Sequence, residues 1–168
     1  MKKIFTIIAM LVFLSGCGNR AQKESQGAPE QKADLVAQGL KYLSQSDVPR
    51  AIQSFDTAIK SDPTNPDNYL VLGQVYMRLG NFERAIDTFT GAVNVSPQNG
   101  EAYFLLATSL ALGGDKEGAV KAAQKSVDLF MQNRDEERFK MSLALLRNLV
   151  EGDQPPALPS EQAQAPKK

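Results

Sequence analysis

Residues 66–99 read PDNYLVLGQVYMRLGNFERAIDTFTGAVNVSPQN, and their pattern of small, aromatic and proline residues returns 34 positions to either side. Ala85 has counterparts in Ala51 and Ala119, Gly73 in Gly39 and Ala107, Tyr76 in Tyr42 and Leu110, and Phe89 in Phe55 and Ala123. Tyr69 aligns with Leu35 and Tyr103, Ala92 with Ala58 and Ser126, and Pro97 with Pro63 and Met131. A fixed period of this length marks a helix–turn–helix unit, which cannot bury its apolar face alone and must stack on copies of itself. The units run over 32–65, 66–99 and 100–133.

Each repeated residue type has a physical reason. A glycine inside a helix costs about 1 kcal/mol against alanine, so Gly39 and Gly73 imply a compensating close approach of the second helix, expected at the small Ala51 and Ala85. The rings of Tyr42, Phe55, Tyr76 and Phe89 are expected to fill the space between paired helices. Pro63 and Pro97 stop the second helix of a unit and turn the chain toward the next. Helices are predicted over 33–45, 48–61, 66–79, 82–95, 101–112, 116–131 and 134–150. Asn65 precedes Pro66 as an N-cap, Asp47, Asn81 and Asp115 suit the same role, and Asn133 with Glu136 resembles a capping box.

The pattern resembles the tetratricopeptide repeat (TPR). The middle unit carries it nearly throughout in Tyr69, Leu72, Gly73, Tyr76, Gly80, Phe82, Ala85, Phe89, Ala92 and Pro97. The first has Gln38 and Ser46 where leucine and glycine are usual, and the third is degenerate, keeping mainly Tyr103, Leu106, Gly114 and Ala119. The resemblance implies an all-α fold, a short TPR-type helical solenoid of three repeats. The last helix, within 134–151, does not match the repeat; its Phe139, Leu143, Leu146 and Val150 stand at helical spacing. It is expected to cover the end of the stack, with partner binding as the other reading.

The flanks differ in kind. Residues 1–3 are basic, 4–14 are apolar apart from Thr6, and Leu14-Ser15-Gly16-Cys17 follows. An apolar core of 11 residues spans about half of a bilayer's hydrocarbon, so a cleavable leader over 1–16 is expected rather than a permanent span. The tetrapeptide looks like a bacterial lipobox, which implies acylation of Cys17 and anchorage to the cell envelope. Gly18 after the cysteine, by the sorting rule of enteric-type bacteria, implies the outer membrane facing the periplasm if the source has two membranes. Residues 17–31 are polar and read as the lipidated cysteine with a flexible tether, and 152–168 as a proline-rich disordered tail.

Composition narrows the function. Acidic and basic residues balance at nineteen each, and without Lys2 and Lys3 the balance is seventeen basic against nineteen acidic. No basic run is interleaved with aromatics, so nucleic acid is not an expected partner. The chain has no histidine and a single cysteine, which removes the commonest general base, the commonest metal ligand and any internal disulfide. No catalytic, metal or cofactor site is expected, and the carboxylates Glu83, Asp56 and Asp87 read as solvated helix faces.

The first helix of each unit has a second apolar stripe, one residue and therefore about 100° from the first. Its members are Val36, Leu40 and Leu43, then Leu70, Gln74 and Met77, then Phe104, Thr108 and Ala111. The resemblance puts first helices on the concave side, so Val36, Leu40, Leu43, Leu70, Gln74, Met77, Arg78, Phe104 and Thr108 are the candidate protein-binding groove, with Asp67 and Glu101 also at its edges. Burial of this stripe between neighbouring units is the competing reading. Some family members clamp a chaperone's acidic tail with lysine, asparagine and arginine; the corresponding Val36, Leu40, Val71, Glu101 and Leu105 disfavour that ligand. The expected role is a lipid-anchored scaffold for an envelope protein or peptide, with a self-associating structural subunit as the alternative.

Overall fold

The computed structural model describes residues 28–152, and among them the chain is entirely helical. The order is α1 (Ala28–Ser44), α2 (Val48–Ser61), α3 (Pro66–Arg78), α4 (Phe82–Val95), α5 (Gly100–Leu112), α6 (Lys116–Gln132) and α7 (Glu136–Glu151). The helices pair as α1–α2, α3–α4 and α5–α6, the pairs stack in sequence, and α7 packs on α6. The predicted boundaries of α2 and α4 match. The first helix begins at Ala28, four residues inside the stretch read as tether; Pro29 at its second position already sets a helical φ. The leader, Cys17 and the tail beyond 152 lie outside the described residues.

The pairing contact repeats, but not at the residues expected. A Cβ added to Gly39 would fall 2.5 Å from the Phe55 ring, and one added to Gly73 would fall 2.5 Å from the Phe89 ring. The glycine therefore seats a phenylalanine of the second helix rather than Ala51 or Ala85. In the third hairpin the same two positions are Ala107 and Ala123, both fully buried. The third hairpin thus has two small side chains where the others set a ring on a glycine. Ala51, Ala85 and Ala119 are each 0% exposed, and each closes the first turn of its helix on the capping residue, with N–H to carbonyl distances of 3.1, 3.1 and 3.0 Å to Asp47, Asn81 and Asp115.

Four turns share one geometry. Asp47, Asn81, Asp115 and Asp135 each donate their backbone N–H to the carbonyl five residues earlier, at 2.9–3.0 Å. The residue before each has positive φ: Ser46 (60°), Gly80 (69°), Gly114 (91°) and Arg134 (57°). This is a Schellman-type close to one helix, followed at once by a side-chain cap on the next, received from the N–H of Arg50, Arg84, Gly118 and Arg138. The α6–α7 junction thus uses the turn found inside hairpins, because Met131 stands where Pro63 and Pro97 stop the earlier second helices. The cap of α7 is Asp135; Asn133, read above as part of a capping box, closes α6 instead.

The seams between hairpins are held differently. Asn68, 6% exposed, donates its side-chain amide to the carbonyls of Ala58 (3.2 Å) and Asp62 (3.3 Å). At the far end, the buried Ser126 donates to the Gly100 carbonyl and shares a 2.9 Å hydrogen bond with Ser142. No buried side-chain polar atom among the described residues lacks a partner.

The glycine–phenylalanine seat has a measurable signature. Gly73→Ala gains about 1 kcal/mol of helix propensity but forces a methyl into a ring that is fully buried, a clash of about 1–3 kcal/mol. We expect Gly73→Ala to lower the melting temperature in the wild type and to raise it in a Phe89→Ala background, where the methyl enters vacated space. Calorimetry on the four variants checks the change of sign.

Candidate functional site

The concave side is built from the first helices, and its residues split by position along the stack. Leu40 on α1 is 51% exposed, with Val36 and Leu43 half-buried beside it. On α3, Leu70 and Met77 are 7% and 4% exposed, Gln74 is half-buried and Arg78 exposed. On α5, Phe104 is half-buried, whereas Thr108 is 1% exposed and donates its hydroxyl to the Phe104 carbonyl. Leu70, Met77 and Thr108 are therefore packing residues and not part of the open groove. The reason is placement: α3 packs against α2, α4 and α5, whereas α1 packs chiefly on α2, and Leu70 and Met77 belong to the central apolar cluster.

Besides the open α1 stripe, an accessible site lies toward the C-terminal end. A partly open cavity of about 140 Å³ is lined by Gln74, Glu101, Phe104, Leu105, Phe130, Arg138, Met141 and Ser142. The rings of Phe104 and Phe130 and the side chain of Met141 make its apolar wall. Gln74, Glu101 and Arg138 supply the polar rim. Arg138 is fixed by three partners: Asp135 at 3.6 Å, Glu101 at 3.9 Å and the Phe130 ring at 5.8 Å from its centroid. These ion pairs are exposed and contribute little stability, but they and the ring together hold the guanidinium at the cavity's edge. Of this set, Gln74 and Phe104 were singled out from sequence and Glu101 was placed at the groove edge. Arg138 and Met141 were not, since α7 showed no repeat in the 34-residue register.

Such a cavity can take one apolar side chain, since an engineered void of about 150 Å³ admits benzene, while its rim can hydrogen-bond a peptide backbone. Among the described residues no group of histidine, cysteine, aspartate and glutamate could hold a metal. No described helix is long and apolar enough to cross a membrane.

Comparison with known proteins agrees with this architecture. The family profile for the cytochrome c-type biogenesis protein H TPR domain matches residues 19–159. The TPR2B domain of yeast Sti1, in a structure titled as its pHsp70 complex, superposes with a TM-score of 0.66 at 18% identity, covering 73% of this chain and 98% of that one. PcrH from Pseudomonas aeruginosa gives 0.66 at 20% identity over 73% and 93%. A PcrH structure in complex with the chaperone binding region of PopD gives 0.65 at 19% over 72% and 92%. At these identities the likeness is one of fold. No curated protein matches the sequence.

The burial split gives a direct test. Leu70→Glu places a carboxylate in the core, a change of about 3 kcal/mol or more, and should abolish cooperative melting. Leu40→Glu should leave circular dichroism and melting nearly unchanged.

Proposed function

The chain belongs to the family of the cytochrome c-type biogenesis protein H TPR domain, and from that premise we propose that it is a lipid-anchored adaptor. It holds a protein or peptide along its concave face in the bacterial cell envelope, in the assembly of a complex such as a pilus, a secretion apparatus or a cell-wall machine. The observation that carries this reading is the cavity between α3, α5 and α7, with an apolar wall and a fixed Arg138–Glu101 rim. A ligand that fits it presents an apolar side chain on an extended or helical backbone, two recurrent modes of peptide recognition. An acidic tail fits poorly, because Glu101 stands where a clamp would need a cation and Leu40 and Leu105 offer no charge.

The placement in the envelope is supported by the basic start, short apolar core and Leu14-Ser15-Gly16-Cys17 sequence. Two or three acyl chains on Cys17 would make attachment lasting, whereas one binds only marginally. The fold-level likeness to PcrH, which forms a complex with the chaperone binding region of PopD, supports a role in holding a partner, as an analogy between folds.

Crosslinking in native envelopes tests the groove. An adduct formed by the wild type should be lost in Leu40→Glu and in Phe104→Ala, while Lys60→Glu on an exposed site of α2 keeps it; equal adducts in all three would refute the concave site. Cys17→Ser should release the protein from the membrane fraction or leave the leader attached, and unchanged processing and attachment would refute the anchor.

A further inference from the structure

The last helix hides a repeat that a 34-residue register misses. Aligned by N-caps, α3, α5 and α7 start after Asn65, Asn99 and Asp135, so the third interval is 36 residues rather than 34. In that register Ser142 and Leu145 fall on Leu72 and Val75, and on Leu106 and Ser109. All six are buried, none above 9% exposed. This is the side on which a first helix meets the preceding unit, as Asn68 does toward α2 and Ser142 toward α6.

Phe139, Leu143 and Leu146 then fall on Tyr69, Gly73 and Tyr76, the side on which a first helix receives the second helix of its own hairpin. That side of α7 is partly open. Leu143 is 38% exposed and Val150, two turns on, 62%, while Phe139 and Leu146 are half-buried. The apolar spacing of four, three and four residues along 139–150 is that of a helix–helix seam.

We propose that α7 is the first helix of an incomplete hairpin, and that its Phe139–Leu143–Leu146–Val150 face binds an amphipathic helix of another protein with a small residue opposite Leu143 and acidic residues beside its apolar stripe. The size rule comes from the hairpins themselves. Glycine at this position seats phenylalanine, alanine seats alanine, so leucine requires something small. The charge rule comes from the flank. The exposed Lys140 and Arg147 edge the middle of the stripe, with Glu136 and Glu151 at its ends. A second copy docked antiparallel, about a two-fold axis perpendicular to α7, would bring Lys140 of one copy beside Arg147 of the other and Glu136 beside Glu151. Like charges would meet along the seam. Across residues 153–159, Pro155, Pro156 and Pro159 disfavour a continuous helix of the kind that α2 and α4 form.

The probe is a 14-residue peptide with the sequence of α4, made with alanine in place of its internal phenylalanine and compared with the unaltered sequence. Titrated into the full-length chain by fluorescence anisotropy, the alanine peptide should bind at least about tenfold tighter than the phenylalanine peptide. Leu143→Gly should reverse the order. Absence of binding by either peptide, or an order insensitive to residue 143, would overturn the proposal. So would a dimer of the chain, seen by sedimentation and dissolved by Leu143→Asp, which would make a second copy the occupant. Neither readout depends on the concave cavity.

Discussion

A phenylalanine ring lying on a helical glycine sets the distance between paired helices, and the rest of the molecule is spaced from that contact. At Gly39 and Gly73 there is no room for even a methyl group. The ring fixes how closely the hairpin closes, the closure brings Ala51 and Ala85 to zero exposure, and the stack follows from repeating the unit. The third hairpin satisfies the same constraint with two alanines. A pattern that looks degenerate residue by residue still keeps a small side chain on the first helix, which is what close approach of the second requires.

The hairpins were legible because their signals are local and repeated. Asp47, Asn81 and Asp115 cap their helices as expected, and a positive φ recurs before each, even where Ser46 replaces glycine. What sequence did not show came from departures from the period. Met131 in place of proline lets α6 run to Gln132, which shifts α7 by two residues and hides its kinship with α3 and α5. Of the apolar stripe of α7, Leu143 and Val150 are exposed and Phe139 and Leu146 half-buried, whereas the fully buried residues are Ser142, Leu145 and Leu149. A serine among leucines gives no hydrophobic signal; its value lies in the bond to Ser126.

The groove shows the same division. Periodicity could name the second stripe, but could not say which members a curved stack would cover. Leu40, on a terminal first helix, stays open; Leu70 and Met77, on the middle one, do not. Burial here depends on how many neighbours a helix has, a property of the assembly and not of the helix. Gln38 carries the same lesson at the other end. It occupies the position of Leu72 and Leu106, which are buried, yet Gln38 is exposed, and a polar side chain suits a face that no described hairpin covers.

The amide of Asn68 reaches back across the first seam to two carbonyls at the end of α2, while the equivalent residue at the second seam is Ala102, fully buried and without a donor. One joint is directional and the other is greasy. A doubly held amide has one good angle, so the first seam is set by direction. The second seam, the more extensively packed of the two, is set by shape, since interlocked side chains resist sliding as firmly as a hydrogen bond resists turning. The cavity therefore opens beside a joint whose geometry is carried by volume alone.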